Sequence, residues 1–415
     1  MKKLAVYSIL LVLGLILSQI LPRVLGESYS SIGQLIRVLT MIGLSYIMIH
    51  VGYEFTLDKR NLRKYGWDYI VAMTAAAFPW VFVALYFVFV MLPPEFWGSF
   101  DAWKETLLAG RFAAPTSAGV LFAMLAAAGL GGTWLFRKAR ILAIFDDLDT
   151  VLLMIPLKML MVGLAWQLGA AVLVMAVMLW IAWRWMHKVN ISIRWPSVLT
   201  FAILISVASE LLYKFSKLID DSVPIHIEVL LPAFVLGVIV AYPKKPDGSD
   251  DHTFLDNINE KKVAGIVSGV FMVLVGLNMP LVFNIGGKAI DAMTGAVGVL
   301  SSQPMPDWGV ISLHVIIVTA ISNIGKMFPA FCYRQEAHWR ERLAVAIGMW
   351  PRGEVGAGVL VVSLSYGIGG PVVTVAMLSL ALNLLLTGVF ILIVRKLLRK
   401  VPEHIEEPVE SKVPY

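Results

Sequence analysis

Two adjacent aspartates, Asp146 and Asp147, stand inside the apolar run ILAIFDDLDTVLLMIPL, with Asp149 just behind them. In a bilayer, a carboxylate at that depth is costly unless it is paired, hydrated or holding a cation. Neighbouring residues diverge by about 100° around a helix. One aspartate can therefore face a basic partner while the other faces a cavity. Carboxylate oxygens are hard ligands that suit a small cation, and protons compete for the same atoms. The other charges inside apolar runs are Arg111, Lys158, Lys326, Arg352 and Glu354, so four acids meet four bases. Such balance is what pairing inside a membrane requires.

The elements that must position these groups are helices. Of the 415 residues, 59% are hydrophobic and 15% charged, and mean hydropathy is +0.80. That composition belongs to an all-α polytopic membrane protein. Runs of about 17–25 apolar residues number about twelve. They lie near 4–21, 35–54, 68–92, 105–129, 139–161, 167–187, 196–214, 225–242, 262–283, 308–332, 341–366 and 371–394. The stretch 286–303 reads as a surface segment or loop. The basic amino terminus with its apolar run could be a signal peptide, but no small-residue cleavage site precedes Pro22, so a retained first helix is expected. Counted from Ala139, Asp147 lies about 12 Å along its helix, close to the midplane.

The net charge of +6 comes from basic residues in short loops. With the amino terminus in the cytoplasm, 23 Lys and Arg fall on the cytoplasmic side and 6 on the other. This bias places both termini inside and gives no reason to expect nucleic acid. One cysteine, Cys332, excludes an intramolecular disulfide or a cysteine metal cluster. No glycine-rich phosphate loop follows a strand, so no nucleotide or other cofactor is expected. Residues 1–400 read as one transmembrane unit, and 401–415 as a short, acidic cytoplasmic tail.

Two of the runs are interrupted. In GRFAAPTSAGVLFAML, Pro115 removes a backbone donor, and Thr116 and Ser117 can cap a new half-helix. In AIGMWPRGEVGAGVL, Pro351 is followed by Gly353, Gly356 and Gly358. The breaks lie seven spans apart, so the helices run in opposite senses. Paired broken helices of opposite sense point to inverted repeats with a site where they cross.

Blander roles stand beside these. The aspartates could form only structural ion pairs with Lys326 and Arg352, though such pairs are costly where apolar packing would serve. Lys326 could be a purely structural partner. Arg352 and Glu354 flank a half-helix terminus, which suits structure or gating more than ion ligation. Asp149 could join the site or pair nearby. Lys158 could line an exit or snorkel to the outer surface. His50, His226 and His314 read as structural.

AIFDDLDT resembles the double-aspartate motif of bacterial sodium/proton antiporters in the monovalent cation:proton antiporter superfamily, in their electrogenic two-aspartate branch. AAPTSAGVLFAML resembles the break in that family's first crossing helix, and NIGKMFP its basic residue in the tenth span. GMWPRGEVGAGVL resembles the second crossing helix. The resemblance covers about 35–394. It implies Asp147 as the main Na+ (or Li+) and H+ ligand, Asp146 paired with Lys326, and Thr116 and Ser117 at the crossing. Pro115, Pro351, Arg352 and Glu354 would shape and gate it. It also implies a homodimer in the lipid of the bacterial cytoplasmic membrane, moving by an elevator. Core helices would lie near 68–161 and 308–394, and interface helices near 1–54 and 167–283. Asp149 and Arg111 depart from the pattern and leave ion choice and stoichiometry open. A K+/H+ antiporter, a sodium-coupled organic-anion symporter and a channel are the competing readings; none is an enzyme.

Overall fold

The computed structural model describes residues 2–26, 29–55, 62–162, 166–219, 229–242, 258–279 and 298–399. Among them the chain is helical, with a single isolated bridge between Val189 and Val240. The helices are α1 (Lys2–Leu25), α2 (Tyr29–Tyr53), α3 (Leu62–Tyr86), α4 (Phe100–Gly110), α5 (Ala118–Ala127), α6 (Trp134–Val162) and α7 (Trp166–Trp185). There follow α8 (Trp195–Ile219), α9 (Leu230–Ile239), α10 (Ile258–Leu277), α11 (Trp308–Gly325), α12 (Trp339–Gly348), α13 (Glu354–Ser365) and α14 (Gly370–Leu398).

Both interruptions appear as breaks. The fourth span divides into α4 and α5, joined by a short 3-10 turn at Arg111–Ala113 and an irregular stretch through Pro115. Ser99 caps the first half and Ser117 the second. The eleventh span divides into α12 and α13, with Pro351–Gly353 irregular between them. Each break leaves backbone groups that no helix satisfies, which is tolerated at membrane depth only against protein or water.

Among the described residues, seven helical segments are long and apolar enough to cross a membrane. The aspartate helix α6 is not among them, because Arg137, Lys138, Arg140, three aspartates and Lys158 all lie on it. It also starts five residues before the expected Ala139, which takes the basic cluster out of the loop and into the helix. Lys138 and Arg140 are buried there. Lys138 Nζ sits 2.9 Å from Asp68 Oδ1 and 3.1 Å from Glu336 Oε2, above the Tyr333 ring. Arg140 Nη2 sits 2.7 Å from Glu54 Oε2. These two bases serve as internal ties, in addition to any topological role. His226 and most of 286–303 lie outside the described residues.

Packing gathers the helices into two neighbourhoods. α1 lies on α10, and α2 on α8, α9 and α10, with α7 against α9. α3 packs on α6, α11 and α4, and α14 on α11 and α12. α14 also touches α1. The α2–α9 contact is close enough to exclude any side chain at its centre. A Cβ on Gly237 would overlap the carbonyl of Ile49, and one on Gly52 the carbonyl of Phe234. Small residues that let backbones approach are the usual device for helix packing in lipid. Gly237→Val should lower the melting temperature in detergent, since overpacking of this kind costs ~1–3 kcal/mol. A thermal scan showing unchanged stability would mean the helices do not approach this closely.

Candidate functional site

The site is built where the two breaks meet α6 and the end of α11. Pro115 prevents the α4 ladder from continuing, so the backbone donors of Thr116 and Ser117 are not spent within that helix. Ser117 N donates to Pro351 O at 2.9 Å, joining one break directly to the other. Thr116 Oγ1 donates to Met349 O at 3.1 Å, a second bond across the crossing. Thr116 N donates to Asp146 Oδ2 at 2.7 Å. The Asp146 carboxylate thus sits just ahead of α5, at the positive end of the half-helix dipole.

Lys326 approaches from the other side. α11 ends at Gly325, and the Lys326 amide caps it by bonding to Asn323 O and Ile324 O. Its Nζ donates to Asp146 Oδ2 at 2.9 Å and to Thr116 Oγ1 at 2.7 Å. Asp146 and Lys326 are both fully buried. A buried ion pair repays its desolvation only when further hydrogen bonds satisfy both partners. Here Thr116 supplies one to each. Asp146 Oδ1 has no hydrogen-bond partner among the described residues.

Arg352 is satisfied by neutral groups. Nε donates to Ala113 O at 2.9 Å, Nη1 to Asn323 Oδ1 at 2.8 Å, and Nη2 to Ser322 O at 2.8 Å. It clips the first break and the end of α11 to the second break. Arg111 is also fully buried. Its Nη2 donates to the backbone oxygen of Asp149 at 3.0 Å, and its guanidinium lies 4.8 Å from the Trp80 ring centre. Asp149 is buried beside the Tyr69 hydroxyl.

The structure therefore brings Asp146, Thr116, Ser117, Lys326, Pro351 and Arg352 together, with Pro115 forming the first break. Asp147 is buried on the same turn of α6. Asp149 and Arg111 form a neighbouring pair of residues rather than a part of that network. Among the described residues no three His, Cys, Asp or Glu side chains converge as a metal cluster. Glu354 opens α13, and its side chain lies outside the described set. The described buried side chains here balance: Asp146, Asp147 and Asp149 against Arg111, Lys326 and Arg352.

Several contributors escaped sequence reading. Asn323 holds Arg352, and Asn383 Nδ2 donates to the same Asn323 oxygen at 3.3 Å. A lone asparagine in an apolar helix gives no pattern to find. Asp68 and Glu105 read as span boundaries, yet both are buried. Glu105 accepts the backbone amides of Val299 and Leu300 at 3.2 and 2.9 Å. His50 and His314 do make local bonds, to Tyr46 O and the Tyr86 hydroxyl.

An all-helical bundle with paired broken helices, crossing beside a buried aspartate–lysine pair, defines a secondary-transporter architecture. The family model described as sodium/hydrogen exchanger, transmembrane, matches residues 2–400, and the chain belongs to that family. It is accordingly a multi-pass membrane protein. Among solved structures, the sodium proton antiporter MjNhaP1 from Methanocaldococcus jannaschii shares the fold. It has a TM-score of 0.55 and 16% identity, over 95% of this chain and 92% of that one. No curated protein sequence matches the chain.

Removing one member of a buried pair strands the other, at a cost of ~3–5 kcal/mol. Lys326→Gln should therefore lower thermal stability in detergent markedly. Asp146→Asn combined with Lys326→Gln should lose much less than the two single losses added. Additive losses would mean the pair is not coupled.

Proposed function

We propose that the protein exchanges cytosolic Na+ or Li+ for external H+ at the Asp146–Asp147 pair, and that the exchange moves net charge. The observation that carries this reading is the doubly used Asp146 oxygen. Its Oδ2 serves both Lys326 and the Thr116 amide, while Oδ1 has no hydrogen-bond partner among the described residues. A cation that takes Asp146 as a ligand competes with the Lys326 ammonium for it. Asp147, diverging by about 100° around α6, supplies the main carboxylate for the cation or the proton. Thr116 and Ser117 add oxygens at the crossing. Lys326, freed from its partner in a buried site, can give up its proton, so that two protonations alternate with one cation.

In this account Arg352, Pro115 and Pro351 keep the two broken helices in register while the cation is held. The helices around α3–α6 and α11–α14 act as the moving core, and α1, α2 and α7–α10 as the interface through which two copies associate. The protein works in a bacterial cytoplasmic membrane with both termini inside. The buried acids and the crossing speak for cation exchange rather than for an organic-anion symporter or a channel.

Asp147→Asn should fold normally and lose both Na+ flux and Na+-driven H+ flux in proteoliposomes, with K+ unable to replace Na+ in the wild type. A well-folded variant with near-normal exchange would remove Asp147 from the site. Wild-type exchange should respond to an imposed potential, which contributes about 2.3 kcal/mol per charge per 100 mV. An unchanged rate under potential would contradict the electrogenic reading even if Asp147 remains the ligand.

The orientation has its own test. Cysteine placed at exposed Glu95 should react with an impermeant reagent from outside right-side-out vesicles. Cysteine at exposed Arg334 should react only after permeabilisation. The reverse pattern would invert the topology.

A further inference from the structure

Arg111 and Asp149 are both buried, and the exchange proposed above uses neither. They reach one place from different elements. Arg111 stands on the 3-10 turn that follows α4, just ahead of the first break. Asp149 stands on α6, three residues after Asp146, and so neighbours it on the helix surface. It is a third acid beside the transport pair. An uncompensated carboxylate at that depth needs a proton or a cation to be tolerated. Asp149 would then enter the count of ions moved in each cycle.

The geometry gives it a different partner. Arg111 Nη2 donates to the Asp149 backbone oxygen at 3.0 Å, which pins the guanidinium beside that residue. The Trp80 ring centre lies 4.8 Å from the guanidinium carbon, a contact in which the aromatic face attracts the cation. Trp80 Nε1 donates to Leu107 O at 2.7 Å, so the ring is itself fixed to α4. Tyr69 of α3 gives its hydroxyl hydrogen bond to Asp149. Arg111 Nε and Nη1, and Asp149 Oδ2, have no hydrogen-bond partner among the described residues. A cation with unspent donors is thus anchored to an anion with an unspent oxygen. Each makes the burial of the other tolerable. The charged groups acting on Asp149 are Arg111 and Asp146, and Tyr69 is its other titratable neighbour.

The chemistry of the two bases near α6 differs in kind. A buried ammonium can release its proton, whereas a guanidinium stays charged in proteins. Lys326 is therefore suited to exchange its proton against a cation, and Arg111 is not. A permanent positive charge beside Asp149 compensates it at every step without drawing an ion from either side of the membrane. We infer that Arg111 is a stoichiometry-determining residue, whose fixed charge compensates Asp149 and keeps that carboxylate out of the ions exchanged at Asp146 and Asp147. With Arg111 present, the third acid adds a tie between the first break and α6 but no third ion. The statement about ion count rests on the exchange proposed above; the pairing of Arg111 with Asp149 does not.

Two measurements on purified protein test the inference. The first is thermal stability in detergent. Arg111→Gln and Asp149→Asn should each lower the melting temperature, and the double variant should recover most of the loss. A single variant that fails to fold beside a double variant that folds is the same rescue in its extreme form. The deficit of Arg111→Gln relative to the double variant should shrink from pH ~8 to pH ~5, because a proton can then replace the guanidinium at the carboxylate. Additive losses, or a deficit independent of pH, overturn the pairing whether or not the protein binds Na+. The second is calorimetry of Na+ binding at pH ~8, where an ordinary carboxylate is ionised. Buffers of different ionisation enthalpy then give the protons released per cation. Arg111→Gln/Asp149→Asn, which lacks both charges, should release the wild-type number. A smaller number makes Asp149 a carrier and overturns the inference. Wild-type protein that binds no Na+ overturns the exchange reading and with it the claim on ion count, and leaves the pairing to the first measurement.

Discussion

A lysine ammonium and an aspartate carboxylate share one fully buried point, and much of the crossing is arranged around keeping them satisfied. In a low-dielectric interior such a pair is tolerated only when its geometry is good and its other hydrogen-bonding groups have partners. Thr116 supplies these partners, donating its amide to Asp146 and receiving the lysine on its hydroxyl. The amide is available because Pro115 interrupts the helix before it. The hydroxyl's own proton goes to Met349 O in the opposite break. Helix breaks that would be liabilities elsewhere are therefore what makes the buried pair possible.

The other buried bases divide the work by the kind of partner they hold. Arg352 grips carbonyl and amide oxygens from the first break and from the end of α11, all of them neutral. Its fixed fork suits that positioning task better than a flexible ammonium would. Lys326 has a compact charge, and in the proposed exchange that charge is displaced by the cation and gives up its proton. Away from the crossing, Lys138 and Arg140 repeat the pattern of buried base and acid, tying the start of α6 to α3 and α2. The aspartate helix is thus anchored by charge near its start as well as at its middle.

The architecture was legible because the signals behind it are periodic or local. Long apolar runs, paired prolines and a double aspartate each leave a mark in one dimension. The start of α6 was misplaced because Lys138 and Arg140 look like loop residues until Asp68, Glu336 and Glu54 are seen beside them. Those acids come from sequence-distant segments, and no spacing rule joins them. The same limit hid Asn323 and Asn383, whose amides matter only because Arg352 arrives between them and the breaks.

The central claim is that a cation and protons compete for the Asp146–Lys326–Asp147 centre. The most direct test is proton release on Na+ binding to purified protein in a weakly buffered, dye-reported solution. The account predicts that Na+ addition acidifies the wild-type solution and that Asp147→Asn loses much of that release, while K+ gives none. Saturable Na+ binding with no proton release in the wild type would contradict it.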